Sequence, residues 1–258
     1  MLIFEIEDIE HWSNFSGDFN PIHYPAKSKS LHNMQQHPVQ GMLSLLYVRQ
    51  QFSQLTSAFT TGILNIDASF RQHVYTALPH QLRIDTKNKT FKLENPGKES
   101  TLFGNTSVEN TVESIEDWIV QDNCQRLTIT GEEICEKYAA FRCYFPSVTS
   151  VGWFLDGLAF HLVINSTRFL NFEHYHFNQL QDYLNQSYTL HTGQGIKIKK
   201  MVVNSTLLSS SPDICIELNP PLIIKNGPKD YIRIFHCRCL YDKEPVFVSK
   251  ISIVSKMK

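Results

Sequence analysis

Two apolar stretches constrain this chain more than anything else in it. "GMLSLLYVRQQF" spans 41–52 and "SVGWFLDGLAFHLVINS" spans 150–166. In the first, Met42, Leu45, Leu46 and Val48 recur near helical spacing, and the second has the same character. A helix that is apolar nearly all round cannot lie on a surface; something has to wrap it. β-rich runs follow each stretch: 81–85 and 101–108 after the first, 231–241 and 246–254 after the second. "NPGK" at Asn95 and "KNGPKD" at Lys225 supply hairpin turns. One long buried helix followed by a curled antiparallel sheet, done twice, is an α+β plan. The segments opening at Gly62 and Gly195 share Gly-Ile and a proline 17 positions on, which suggests a repeat with an offset of 133. "FEHYHFNQLQDYLNQSY" in the second half has no counterpart in the first and reads as an inserted helix or lid near 171–190.

At 258 residues, with 42% hydrophobic and 19% charged, the chain suits two small domains or one fused pair with a shared core. The formal net charge is -1 and no Lys/Arg run exceeds two residues, so there is no basic face for nucleic acid. The six cysteines lack the spacing of a disulfide scaffold. "IRIFHCRCLY" reads as a strand with Cys237 and Cys239 buried on one face, and no second ligand pair follows to make a metal site. "MLIFEIEDIE" has no basic n-region, and Asp156 and His161 interrupt the longest apolar segment. The expectation is a cytoplasmic protein with neither a secretory signal nor a membrane span.

"FSGDFNPIHYP", Phe15 to Pro25, is the stretch with the most chemistry. On a helix Asp18 and His23 would lie about 140° apart and diverge. Here Asn20 precedes Pro21, which favours extended backbone, and Gly17 frees the chain just before Asp18. Such a turn can aim a carboxylate and an imidazole at one water, an arrangement suited to proton transfer near neutral pH. The turn alone is also a sufficient reason for Asp-x-Asn-Pro, with His23 a surface residue.

Read together with Gly41 opening "GMLSLL" and with "ASFRQHV" at Ala68, this stretch closely resembles the MaoC-like, (R)-specific enoyl-CoA hydratase family. The resemblance is strong over 8–85 and survives in the second half only as architecture. It implies a double hotdog: residues 1–132 a catalytic hotdog, 133–258 a second, non-catalytic one that completes a dimer-like interface. A pseudo-dimer within one chain or a homodimer would both fit. The implied activity is hydration and dehydration between trans-2-enoyl and (R)-3-hydroxyacyl thioesters of CoA or acyl carrier protein, without a cofactor. Asp18 and His23 would hold the water, Asn20 and Gly17 would support the loop, and the N–H of Gly41 would bond the thioester oxygen. An orphan N–H at a helix N-terminus suits an oxyanion in any case.

Three departures from the family pattern stand out. Gln40 replaces a histidine before the helix glycine. Arg49 occupies the place of a small hydroxyl residue and could pair with Asp18. The chain also begins close to the motif, so a preceding strand is expected to be missing or short. Together with the fused second half, these changes suit a specialised biosynthetic dehydratase. Two alternatives follow. One is a catalytically weak hotdog that binds acyl groups or serves an assembly. The other is a polyketide-type dehydratase pairing His37 with Asp156 of "FLDGLAFH". Asp156 and His161 repeat the spacing of five on a helix, where they should diverge. Trp153, Phe154, Leu155 and Phe160 should be core or tunnel lining.

Overall fold

The apolar segments and alternating runs resolve, in a computed structural model, into two helices held against one continuous sheet. The structure describes residues 1–24, 36–55, 61–95, 100–109, 115, 118–205 and 213–258. Helix α1 is Ile6–Ser16, α2 Gly41–Leu55, α3 Gly131–Tyr144 and α4 Val151–Ile164. The strands are β1 (Ile63–Phe70), β2 (Gln81–Asp85), β3 (Thr90–Glu94), β4 (Ser100–Glu109), β5 (Gln125–Ile129), β6 (Asn171–Phe172) and β7 (Tyr175–His176). They continue with β8 (Ser187–Lys199), β9 (Ile214–Leu218), β10 (Leu222–Lys225), β11 (Asp230–Tyr241) and β12 (Glu244–Met257).

The main sheet runs β2-β3-β4-β1-β8-β12-β11-β9-β5, with β10 also on β11. Every pairing is antiparallel. The first four strands in the chain lie together at one end of the sheet and the rest follow, joined where β1 meets β8 with Ile66 opposite Ile196. This is a double hotdog. Strand β5, N-terminal to position 132, pairs with β9 at the far edge rather than with a first-half strand.

Alternation explains the strands. Along β11, Tyr231, Arg233, Phe235, Cys237 and Cys239 turn inward and their neighbours outward, as the pleat requires. Asp242 and Lys243, both at positive φ (52° and 66°), make the tight turn into β12. The hairpin at Lys225 is present between β10 and β11, whereas "NPGK" lies largely outside the described residues. Helix α4 buries Trp153, Phe154, Leu155 and Leu158, each a contribution of about 1.5–3 kcal/mol for an aliphatic or Phe side chain taken from water.

Several expectations need correction. The offset of 133 carries β2 onto 214–218, which is β9, but carries β1 onto 196–203, the end of β8 plus the short helix Lys200–Asn204, so the repeat holds for its second strand and not for its first. Segment 171–190 is not one helix: it holds the hairpin β6–β7, a single short helix at Leu180–Asn185, and the start of β8. Near the N-terminus, Leu2 exchanges backbone hydrogen bonds with His80 (2.8 and 2.7 Å). Among the described residues, no helix is long and apolar enough to cross a membrane.

Candidate active site

Helix α1 was not expected from the sequence, yet it delivers the motif. It opens with a Glu5–Asp8 capping box and ends at Gly17, whose φ of +79° closes the helix as only glycine readily can. The Gly17 N–H returns to the Ser13 carbonyl (2.8 Å). Asn20 is extended (φ -58°, ψ 123°), as the following proline demands, but Pro21–His23 then tighten into one 3₁₀ turn. The Asn20 side chain accepts from Ile22 N–H (3.3 Å) and donates to the Thr189 carbonyl on β8 (2.8 Å). The loop is therefore anchored by the second half of the molecule.

Gln40 is buried and braces the same loop. Its Nε2 donates to Ser13 Oγ (3.0 Å), and Ser13 Oγ donates to the Asp18 carbonyl (2.7 Å). The departure at position 40 thus supplies a neutral hydrogen-bonded prop. Arg49 does not reach Asp18. It is wholly buried and pairs with Asp156 of α4, whose other oxygen accepts from Gln194 Nε2 (2.9 Å). Beside this pair, Trp153 Nε1 donates to Ser53 Oγ (2.6 Å) and Gln50 Nε2 to Thr149 Oγ1 (3.1 Å), so a polar clasp joins α2 to α4.

Asp18, Asn20 and His23 line a cavity of about 200 Å³ together with Gly41, Met42 and Ser44 of α2. The 70–74 segment forms a second wall, with Phe160 and Ile164 of α4 beyond it. Phe169, Leu180 and Leu184 close the apolar end, and Thr189–Thr192 of β8 complete the enclosure. The N-terminus of α2 opens onto this space at Gly41, where a Cβ would come within 2.8 Å of His191 Nδ1 and 3.0 Å of the Phe70 ring.

Burial raises the Asp18 carboxyl above its ordinary range, opposed in part by His23 and the Asn20 N–H. Burial also lowers His23, opposed by Asp18 and by the hydrogen bond that Nδ1 makes to the Pro38 carbonyl (2.7 Å). A carbonyl can only accept, so Nδ1 carries hydrogen and the neutral ring keeps its lone pair on Nε2. Both shifts favour a protonated acid next to a neutral base.

The polyketide-type pairing is not assembled. Neither Asp156 nor His37 lines the cavity. Arg49 and Gln194 occupy the Asp156 carboxylate, and the His37 backbone pairs with Thr76. His161 diverges from Asp156, as helical spacing requires, and its Nδ1 donates to the Ser16 carbonyl (2.6 Å). Of the apolar candidates on α4, Phe160 lines the cavity while Trp153, Phe154 and Leu155 are core. Sequence reading missed His73 and His191, both on the cavity wall. His73 lies within "ASFRQHV", where no role was given to it; His191 stands in no motif, and strand pairing alone brings it opposite the motif loop. Among the described residues, no group of three or more His, Cys, Asp or Glu is arranged to hold a metal.

No family model matches the chain, and no curated relative matches it. Solved structures of similar architecture include a putative MaoC domain protein dehydratase from Chloroflexus aurantiacus J-10-fl (10% identity, TM-score 0.47, covering 100% of this chain and 93% of that one). A conserved hypothetical protein from Mycobacterium tuberculosis with a double hotdog fold is 8% identical (TM-score 0.47, covering 98% and 93%). The dehydratase domain from the CurF module of curacin polyketide synthase is 10% identical (TM-score 0.43, covering 86% and 85%).

Proposed function

We propose that this cavity interconverts trans-2-enoyl and (R)-3-hydroxyacyl thioesters of CoA or acyl carrier protein, as a dehydratase in biosynthesis. The observation that carries the reading is the convergence of Asp18, His23 and the Gly41 helix start on one apolar-ended cavity. In the hydration direction, a water between the two side chains gives a proton to His23 Nε2 as its oxygen bonds to C3. Charge then develops on the thioester oxygen, against the first N–H groups and positive dipole end of α2. Asp18 delivers its proton to C2, and His23 restores a proton to Asp18. Dehydration is the reverse. Residues 1–132 supply the acid, the base and the oxyanion pole, and the second half supplies the Thr189 anchor and most of the apolar end.

The test follows loss of enoyl absorbance with crotonyl-CoA and crotonyl carrier protein. Asp18→Asn and His23→Ala should each lower kcat by about a thousandfold. Full activity in both variants would end the assignment. Tight thioester binding without turnover by the wild type would point instead to an acyl-binding subunit.

A further inference from the structure

His191 sits on β8, in the second half, and its orientation is imposed by a break in the sheet. The β8–β12 register pairs Gly193 with Ser252 and His191 with Ile253, so Thr192 is an extra residue in β8. Such a bulge re-aims a side chain that regular pleating would place elsewhere. The ring lies against Phe70 and Phe160 (centroids 5.1 and 5.6 Å) and reaches the start of α2. Nε2 is 3.0 Å from the Gly193 carbonyl and must therefore carry the hydrogen. Burial holds the ring at a pKa of about 3, so it stays neutral and Nδ1 is a bare acceptor. That Nδ1 is buried and has no partner among the described residues. A buried acceptor left unmatched is costly, and the ring that carries this one is part of the cavity wall, so a bound ligand that displaces its neighbours is the simplest source of a partner.

The helix start and this ring place a donor and an acceptor side by side. A lone pair next to a developing oxyanion would repel it, so His191 is not a second oxyanion donor. Its complement is a ligand with a carbonyl oxygen for the helix and an N–H a few bonds away. S-acyl cysteamine, the end common to CoA and to the carrier-protein arm, has that order: thioester carbonyl, sulfur, two methylenes, amide N–H.

We propose that His191 is a specificity-determining residue whose Nδ1 accepts a hydrogen bond from the cysteamine amide of the thioester held at Gly41. This rests on the thioester reading above, and binding can be tested apart from chemistry. The probes are two saturated, unreactive thioesters, S-butyryl-N-acetylcysteamine and its ester analogue S-butyryl-(2-acetoxyethyl)thiol, which replaces the N–H by oxygen. Calorimetric titration should show the amide binding wild type about tenfold more tightly than the ester. In His191→Phe, which keeps an aromatic ring against Phe70 and Phe160, the two should bind equally, with ester affinity unchanged from wild type. Equal binding of both probes to wild type, binding of neither, or retention of the amide preference in His191→Phe would each overturn the proposal. Inactivity towards crotonyl thioesters alongside the expected binding pattern would sink the catalytic reading and leave this one standing.

Discussion

The two central helices begin in opposite surroundings. The start of α2 faces a cavity that the Gly17–His23 loop borders with Asp18 and His23. The start of α4 is closed: the Val151 N–H donates to the Ser205 carbonyl (2.8 Å), and Gly152 packs against Ile198 and Val203. One turn further on, the only carboxylate of α4 is held by Arg49 across the interface. The same helix-in-sheet unit therefore presents one open N-terminus and one plugged one. What separates them is the chain that fills the space ahead of the helix, not the helix itself.

The largest way to break this arrangement is at the clasp. Arg49→Met strands a buried Asp156 and should cost about 3–5 kcal/mol in denaturant unfolding. Arg49→Met with Asp156→Leu should recover most of that loss, because no uncompensated charge remains. Strict additivity of the two single effects would mean that the pair is not coupled as described.

The contrast between the two helix starts can be read with one substitution made twice. Gly41→Ala places a methyl 2.8 Å from His191 Nδ1 and should lower kcat/KM by about a hundredfold through displaced substrate, with little change in unfolding midpoint. Gly152→Ala places one 2.9 Å from Ile198 Cδ1 and 3.2 Å from the Val203 backbone. It should cost about 1–3 kcal/mol of stability, and the protein that remains folded should keep the kcat of the proposed reaction. A loss of activity from both variants, or from neither, would remove the distinction.

The smallest effect is in pH dependence. The proposed hydration needs Asp18 protonated and His23 neutral. The rate therefore falls at low pH as His23 gains a proton and at high pH as Asp18 loses one. Raising Asp18 and lowering His23 both enlarge the population in that state relative to an unperturbed pair. A kcat/KM profile should be bell-shaped; a monotonic rise through neutrality would show that ionised Asp18 is the working form.

Legibility from sequence followed the range of the interaction. Helices α2 and α4, strands β2, β11 and β12 and the turn at Lys225 were readable because helical and strand periodicities and turn preferences are local. The Gly17–Asn20–Pro21 turn was readable because φ preferences belong to single residues and their neighbours. Helix α1 was not, because its short mixed-polarity stretch buries Trp12 and Phe15 only once α3 and α4 are in place. The repeat at offset 133 matched β2 to β9 but not β1 to β8, because a Gly-Ile pair does not fix where in a longer strand it falls.

Sequence alone therefore determined that two apolar helices had to be wrapped, and that a turn stands at Gly17–Asn20–Pro21, one able to bring Asp18 and His23 together. Tertiary structure decided the rest. It gave Arg49 to Asp156 rather than Asp18, made Gln40 a prop through Ser13, closed the second helix start with Ser205, and turned His191 toward Gly41 through a bulge. Each of these contacts joins segments far apart in the chain or depends on strand register, and neither is encoded in any short window of residues.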